Sequence, residues 1–181
     1  MAERVPAASP LTLAQRLDRS LARLGVTVLI PLLILALAWS QELLDQVLFA
    51  GRWNLPMVQG GSILGVVTAP FSHSGFRHLI SNSLWFLPLS WLVLLHGRVA
   101  YVMVWLGVMV SAIPVWLFWP GGSHGLSGVI YGLLGYLVSV GWLHRRFGAL
   151  LLSVLALFIY GAMLPGLLPF LTPREIGRAH V

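Results

Sequence analysis

Ser127 lies in Gly125-Leu126-Ser127-Gly128, where a polar, glycine-rich connector gives way to an apolar run. No Asp or Glu occurs between Asp45 and Glu175, and the chain contains neither Cys nor Lys. Over that stretch carboxylate pairs, thiolate nucleophiles and most metal cages are excluded. What is left is a serine working with imidazole, or no chemistry at all. His78 and Asn82 are the polar residues best placed to join it. Their spacing of four puts both side chains on one face of a helix, one turn apart.

The elements that would position these residues follow from composition. The chain has 181 residues, 58% hydrophobic and 9% charged, against about 25% charged for a typical soluble domain. Its mean hydropathy is +0.89. So much apolar surface cannot be hidden in one water-soluble core of this size, and the expectation is an all-α, multi-pass integral membrane protein. The net charge of +6 comes from 11 basic residues against 5 acids. No basic stripe with interleaved aromatics accompanies it, so it reads as topogenic charge at helix ends and no nucleic-acid partner is expected. The absence of Cys rules out a disulfide framework.

Apolar runs long enough to cross about 30 Å of hydrocarbon fall at 24–39, 79–95, 99–119, 126–143 and 149–170. Pro165 and Pro169 end or kink the last of them. Arg16, Arg19 and Arg23 precede the first run, Arg98 separates the second from the third, and Arg145 and Arg146 separate the fourth from the fifth. A cytoplasmic N-terminus places all three groups inside, as the positive-inside bias requires. Residues 1–20 read as a cytoplasmic tail and 21–173 as the transmembrane domain. Ala36-Leu37-Ala38 resembles a signal-peptidase site, but the preceding segment is long for a signal peptide and an uncleaved span is favoured. Residues 40–70 read as an external connection, in which Leu43, Leu44, Val47 and Leu48 could form an interfacial amphipathic piece.

This topology puts His78 and Asn82 at the outer end of the second run and Ser127 at the outer end of the fourth. Any one of them alone would read as hydrogen-bonding glue between helices. Three at one depth point instead to a cavity. The connector 120–125 leads into a helix whose first N–H groups are free to face an oxyanion. Gly128, Gly132 and Gly135 let another helix approach the fourth span. The Gly-x-Ser-x-Gly elbow does not fit, because Val129 occupies its last position.

With His73, then His78-Leu-Ile-Ser-Asn82, then Gly125-Leu-Ser127-Gly128 followed by Tyr131 and Gly135, the chain resembles the rhomboid family of intramembrane serine proteases over about residues 65–172. The resemblance implies a bundle of six core helices, five of them represented here, around a water-accessible site below the outer surface. It implies Ser127 as nucleophile, and His78 and Asn82 as oxyanion hole together with backbone N–H groups at Gly125, Leu126 and Ser127. Tyr131 would pack against the catalytic imidazole, and His73 would lie near the cavity mouth with its role open. Substrates would be single-span membrane proteins within the bilayer, and no cofactor or metal is implied. The family's Trp-Arg pair appears only in reverse, as Arg52-Trp53. His124 reads as a solvated loop residue; His96 and His144 fall at the cytoplasmic ends. The bacterial inner membrane is the expected location.

The family's general-base histidine belongs to a sixth span. Here Glu175-Ile-Gly-Arg-Ala-His-Val181 reads as a translation of GAG ATC GGA AGA GCA CAC GTC, which contains the start of a common sequencing-library adapter. Residues 174–181 are therefore expected to be non-native, His180 is not expected to be the base, and the chain as written is expected to lack activity. Resequencing the locus tests this, and a genomic stop codon after Val181 would overturn it. Two other readings stay open: a catalytically inactive rhomboid-like protein that binds membrane clients, and a small transporter component whose polar cluster binds solute.

Overall fold

The computed structural model describes residues 12–144 and Val154. It contains α1 (Leu13–Leu48), α2 (Leu64–Thr68) with a 3-10 turn (Ala69–Phe71), α3 (Phe76–His96), α4 (Arg98–Phe118) and α5 (Ser127–His144). The expected fifth span at 149–170, apart from Val154, the tail 174–181 and residues 1–11 lie outside the described residues.

Three of these helices, α1, α3 and α4, are long and apolar enough to cross a membrane, with mean hydropathies of 2.3, 1.4 and 2.0; α5 is apolar and shorter. α1 opens with a reciprocal cap: Gln15 N–H donates to Thr12 Oγ1 at 3.3 Å, and Thr12 N–H donates to Gln15 Oε1 at 3.1 Å. With 36 residues it extends about 54 Å at the α-helical rise, well beyond the hydrocarbon. It is longer than the sequence implied, beginning at Leu13 and running on to Leu48. Gln41, Glu42, Asp45 and Gln46 therefore belong to the helix and not to an external connection. Their polarity suggested a loop. Instead, Gln41, Glu42 and Asp45 share a buried face, while Leu43, Leu44, Val47 and Leu48 are exposed on the other sides.

α3 is the centre of the bundle and packs on α1, α4 and α5. Leu79, Phe86, Leu89 and Val93 are fully buried, at the three- and four-residue spacing of one helical face. They meet Val129, Ile130 and Leu133 of α5. A single residue, Gly97, joins α3 to α4; its φ of +135° is a conformation glycine adopts without a Cβ penalty. α3 and α4 are thus antiparallel neighbours, held also by a buried bond from Tyr101 Oη to Ser90 Oγ at 3.2 Å. On α4 Tyr101 is buried, while Val102, Met103, Leu106 and Val110 are exposed. That apolar surface suits lipid, which costs an exposed leucine nothing.

α5 approaches α4 closely at Gly132. A Cβ there would stand 2.3 Å from Val108 Cγ2, so Gly132→Ala must push the helices apart. Overpacking of this kind costs about 1–3 kcal/mol. A lowered thermal midpoint in detergent is expected, with most of the loss recovered when Val108→Ala is added.

Candidate active site

The loop before α5 is held from three sides. Gly125 N–H donates to the Ala69 carbonyl at 2.8 Å, tying the loop to the 3-10 turn. Ser123 and Met57 exchange two backbone bonds, Met57 N–H to Ser123 O at 2.8 Å and Ser123 N–H to Met57 O at 2.9 Å. Leu126 N–H donates to His73 Nε2 at 3.4 Å. The segment carrying Met57 is itself anchored at alternate residues. Trp53 N–H donates to Asp45 Oδ1, and Leu55 N–H donates to Ser72 Oγ. Spacing of two is what an extended strand presents to one side.

His78 and Asn82 come to this loop from the first two turns of α3. The backbone at Gly125 has φ +95°, and a Cβ there would lie 2.9 Å from His78 Cε1, 3.1 Å from His78 Nε2 and 3.1 Å from Asn82 Nδ2. Glycine thus satisfies both the backbone geometry and the contact. His78 Nδ1 lies 3.2 Å from Ser74 Oγ; when Ser74 donates there, the ring proton resides on Nε2, the nitrogen facing the Gly125 backbone. Asn82 is 4% exposed. Its Nδ2 is buried without an acceptor among the described residues. An unsatisfied buried donor costs about 1–3 kcal/mol.

Ser127 opens α5 two residues after Gly125 and is half-buried; Tyr131, one turn further on, is half-buried too. His73 is fully buried, its ring centroid 5.1 Å from that of His78. With Nε2 accepting from Leu126, its proton sits on Nδ1, 3.4 Å from the Phe71 carbonyl. Burial, and secondarily the neighbouring His78, push the pKa of His73 down from 6.5 to about 4. The ring is therefore a neutral bracket for the Leu126 backbone. Since the folded state has the lower pKa, the unfolded chain takes up the proton first on acidification. Stability is full above pH 6.5 and is lost as the pH falls from about 6.5 to about 4. The loss amounts to about 3 kcal/mol at 1.36 kcal/mol per unit. Thermal midpoints measured from pH 4 to 7 should show this slope, and His73→Asn should flatten it.

His78 and Asn82 thus meet at Gly125, two residues before Ser127, and His73 joins them. Leu126 is placed differently: its N–H is turned to His73. His124 was expected to be solvated. It is half-buried, with its ring 5.7 Å from His78, because the Met57–Ser123 bridge draws the loop over α3. Its place beside the glycines was the available hint, whereas nothing in the sequence pointed to Met57. No group of three His, Cys, Asp or Glu among the described residues is arranged to hold a metal ion.

The family model of the Rhomboid domain matches residues 60–177. The chain belongs to the rhomboid family. That makes it a multi-pass integral membrane protein from a family of intramembrane proteases. An uncharacterized protein of Mycobacterium leprae is 31% identical to this rhomboid over 159 residues, covering 81% of the chain and 61% of the relative. Uncharacterized proteins of Mycobacterium bovis and Mycobacterium tuberculosis are each 30% identical over 162 residues, covering 81% of the chain and 64% of the relative. The rhomboid chain therefore spans about three fifths of the length of these relatives. No solved structure gives a significant match.

Proposed function

We propose that this rhomboid is an intramembrane serine endopeptidase that cuts single-span membrane proteins near the outer face of a bacterial inner membrane. The observation that carries the reading is the pairing of two side-chain donors over the loop of the nucleophile. His78 Nε2 and Asn82 Nδ2 each lie 3.1 Å from the Cβ position of Gly125, and Asn82 Nδ2 is buried with no acceptor among the described residues. An acyl-transfer site needs such donors, aimed where negative charge develops and not at the ground-state carbonyl.

In this mechanism Ser127 Oγ attacks the scissile carbonyl carbon and gives its proton to a histidine base. The carbonyl oxygen becomes an oxyanion, received by Asn82 Nδ2–H, His78 Nε2–H and the Ser127 backbone N–H. Collapse of the tetrahedral intermediate expels the amine, protonated by the same histidine, and water releases the acyl group by the reverse sequence. The base belongs to a sixth helix, outside the described residues. Tyr131, one turn below Ser127, supports that imidazole. A substrate helix must unwind to expose its carbonyl, which favours small or helix-breaking residues at the cut. Arg98 opens α4, just beyond the end of α3 opposite His78, which fits a cytoplasmic N-terminus and an outward-facing site.

The test is labelling by a fluorophosphonate or isocoumarin probe, in protein expressed from the complete genomic reading frame. Covalent adduct at Ser127, located by peptide mass spectrometry, is expected. If no adduct forms where an active rhomboid labels, a client-binding protein without catalysis takes precedence. Asn82→Ala should lower turnover of a membrane-embedded substrate by about 10²–10³, with the midpoint of unfolding little changed.

A further inference from the structure

The end of α1 nearest the Ser127 loop buries more acid than it partners. Gln41, Glu42 and Asp45 are all buried on α1, and Asp45 lies one turn from each of the other two, four residues after Gln41 and three after Glu42. Glu42 and Asp45 are fully buried and Gln41 is 8% exposed. Part of their capacity is used locally. Gln41 Nε2 donates to the Trp53 carbonyl at 2.8 Å, Asp45 Oδ1 accepts from Trp53 N–H, and Glu42 Oε1 accepts from Gln46 Nε2 at 2.9 Å. Three oxygens are left over. Gln41 Oε1, Glu42 Oε2 and Asp45 Oδ2 are each buried with no hydrogen-bond donor among the described residues.

All three orphans are acceptors. Because Gln41 and Asp45 grip the C=O and N–H of the same residue, Trp53, their head groups are adjacent, and Glu42 is buried one turn before Asp45, the spacing at which helix side chains are neighbours. Buried carboxylates are tolerated when paired with a cation or coordinated to a metal. Arg52, next to Trp53, is exposed. An oxygen-only set with two carboxylates selects a hard cation over zinc or copper, which prefer nitrogen and sulfur. Calcium accepts an irregular shell of carboxylate, amide, carbonyl and water oxygens, whereas magnesium demands near-ideal octahedral geometry. We propose that Gln41 Oε1, Glu42 Oε2 and Asp45 Oδ2 form a calcium-binding site at this end of α1. The amide oxygen supplies the third ligand, and so the site was invisible to a reading for His, Cys, Asp and Glu alone.

Its effect would travel along the anchored segment. Asp45 holds Trp53, Ser72 holds Leu55, and Met57 is bridged to Ser123. Neutralising the carboxylates stiffens the first of these anchors and, through the segment, the loop that precedes Ser127. Binding itself does not depend on the protease reading.

The test is equilibrium dialysis of the purified, chelator-treated chain in detergent against ⁴⁵Ca²⁺, with thermal unfolding followed by tryptophan fluorescence. One equivalent bound and a midpoint that climbs with calcium concentration are expected, with magnesium much less effective. Glu42→Gln and Asp45→Asn should each weaken binding about tenfold or more, since affinity follows ligand charge. Ser127→Ala should bind like the parent, which separates this result from any failure of catalysis. A parent chain that retains no calcium and whose midpoint ignores it overturns the proposal. So does undiminished binding by the Glu42→Gln/Asp45→Asn double variant. Variants that fail to fold leave the decision with dialysis of the parent.

Discussion

In protein expressed from the complete genomic reading frame, Ser127→Ala is expected to abolish probe labelling and to lower turnover by about 10⁶, the scale seen when a serine nucleophile is removed. The physical reason is the poverty of alternatives. Between Asp45 and Glu175 the chain offers no carboxylate, and it has no thiol or amine side chain anywhere. A replacement within that stretch would have to be another hydroxyl or an imidazole. The more searching form of the prediction is non-additivity. Once Ser127 is gone no acyl-enzyme forms and only slow attack by water on a bound carbonyl remains, so Asn82→Ala added to Ser127→Ala should cost less than it does in the parent. Turnover assays on the single and double variants in liposomes check this. Costs that simply add would mean that Asn82 acts independently of the Ser127 attack, and equal stability of all the variants is the control that excludes an effect through folding.

Gly125→Ala is expected to lower turnover by about 10³ and to destabilise the fold by about 1–3 kcal/mol, the usual cost of forcing a non-glycine residue into a disfavoured backbone region. At φ +95° an L-residue is strained whatever the space around it. Here there is no space either, since the new Cβ falls 2.9 Å from His78 Cε1 and 3.1 Å from Asn82 Nδ2. The loop must shift or both donors must swing away, and a misplacement of about 1 Å costs about 10²-fold on its own. Gly128 is the internal control. A Cβ at that position would sit 4.0 Å from Val108 Cγ1, an ordinary contact inside a helix. Gly128→Ala should leave the unfolding midpoint unchanged or raise it. Midpoints in detergent and turnover in liposomes measure both variants. A Gly125→Ala protein as active as the parent would remove Gly125 from the architecture of the site.

The two variants also show where the sequence stops being informative. Both glycines read alike in Gly125-Leu-Ser-Gly128. Only the crossing of the loop over α3 makes one indispensable and the other replaceable. The same holds along α1. Gln41, Glu42 and Asp45 looked like an external connection, because three polar residues in a row of apolar ones suggest solvent. Their burial follows from Trp53, which folds back from the loop and takes its backbone bonds from Gln41 and Asp45. That contact spans eight to twelve residues and leaves no periodic trace.

The sequence by itself determined the solvent, the helices and the repertoire of chemistry. Hydropathy demands lipid, apolar runs of fixed length become α3, α4 and α5, and the missing acids and thiols leave serine and imidazole. These are properties of composition and spacing, and they survive without knowledge of any long-range contact. The tertiary structure decided which donors face which atoms. It put Asn82 Nδ2 and His78 Nε2 over Gly125, engaged the Leu126 N–H with a neutral, buried His73, and brought a half-buried His124 against His78. Such outcomes depend on a glycine at positive φ and on a two-bond bridge between Met57 and Ser123. Helix periodicity carries no information about either.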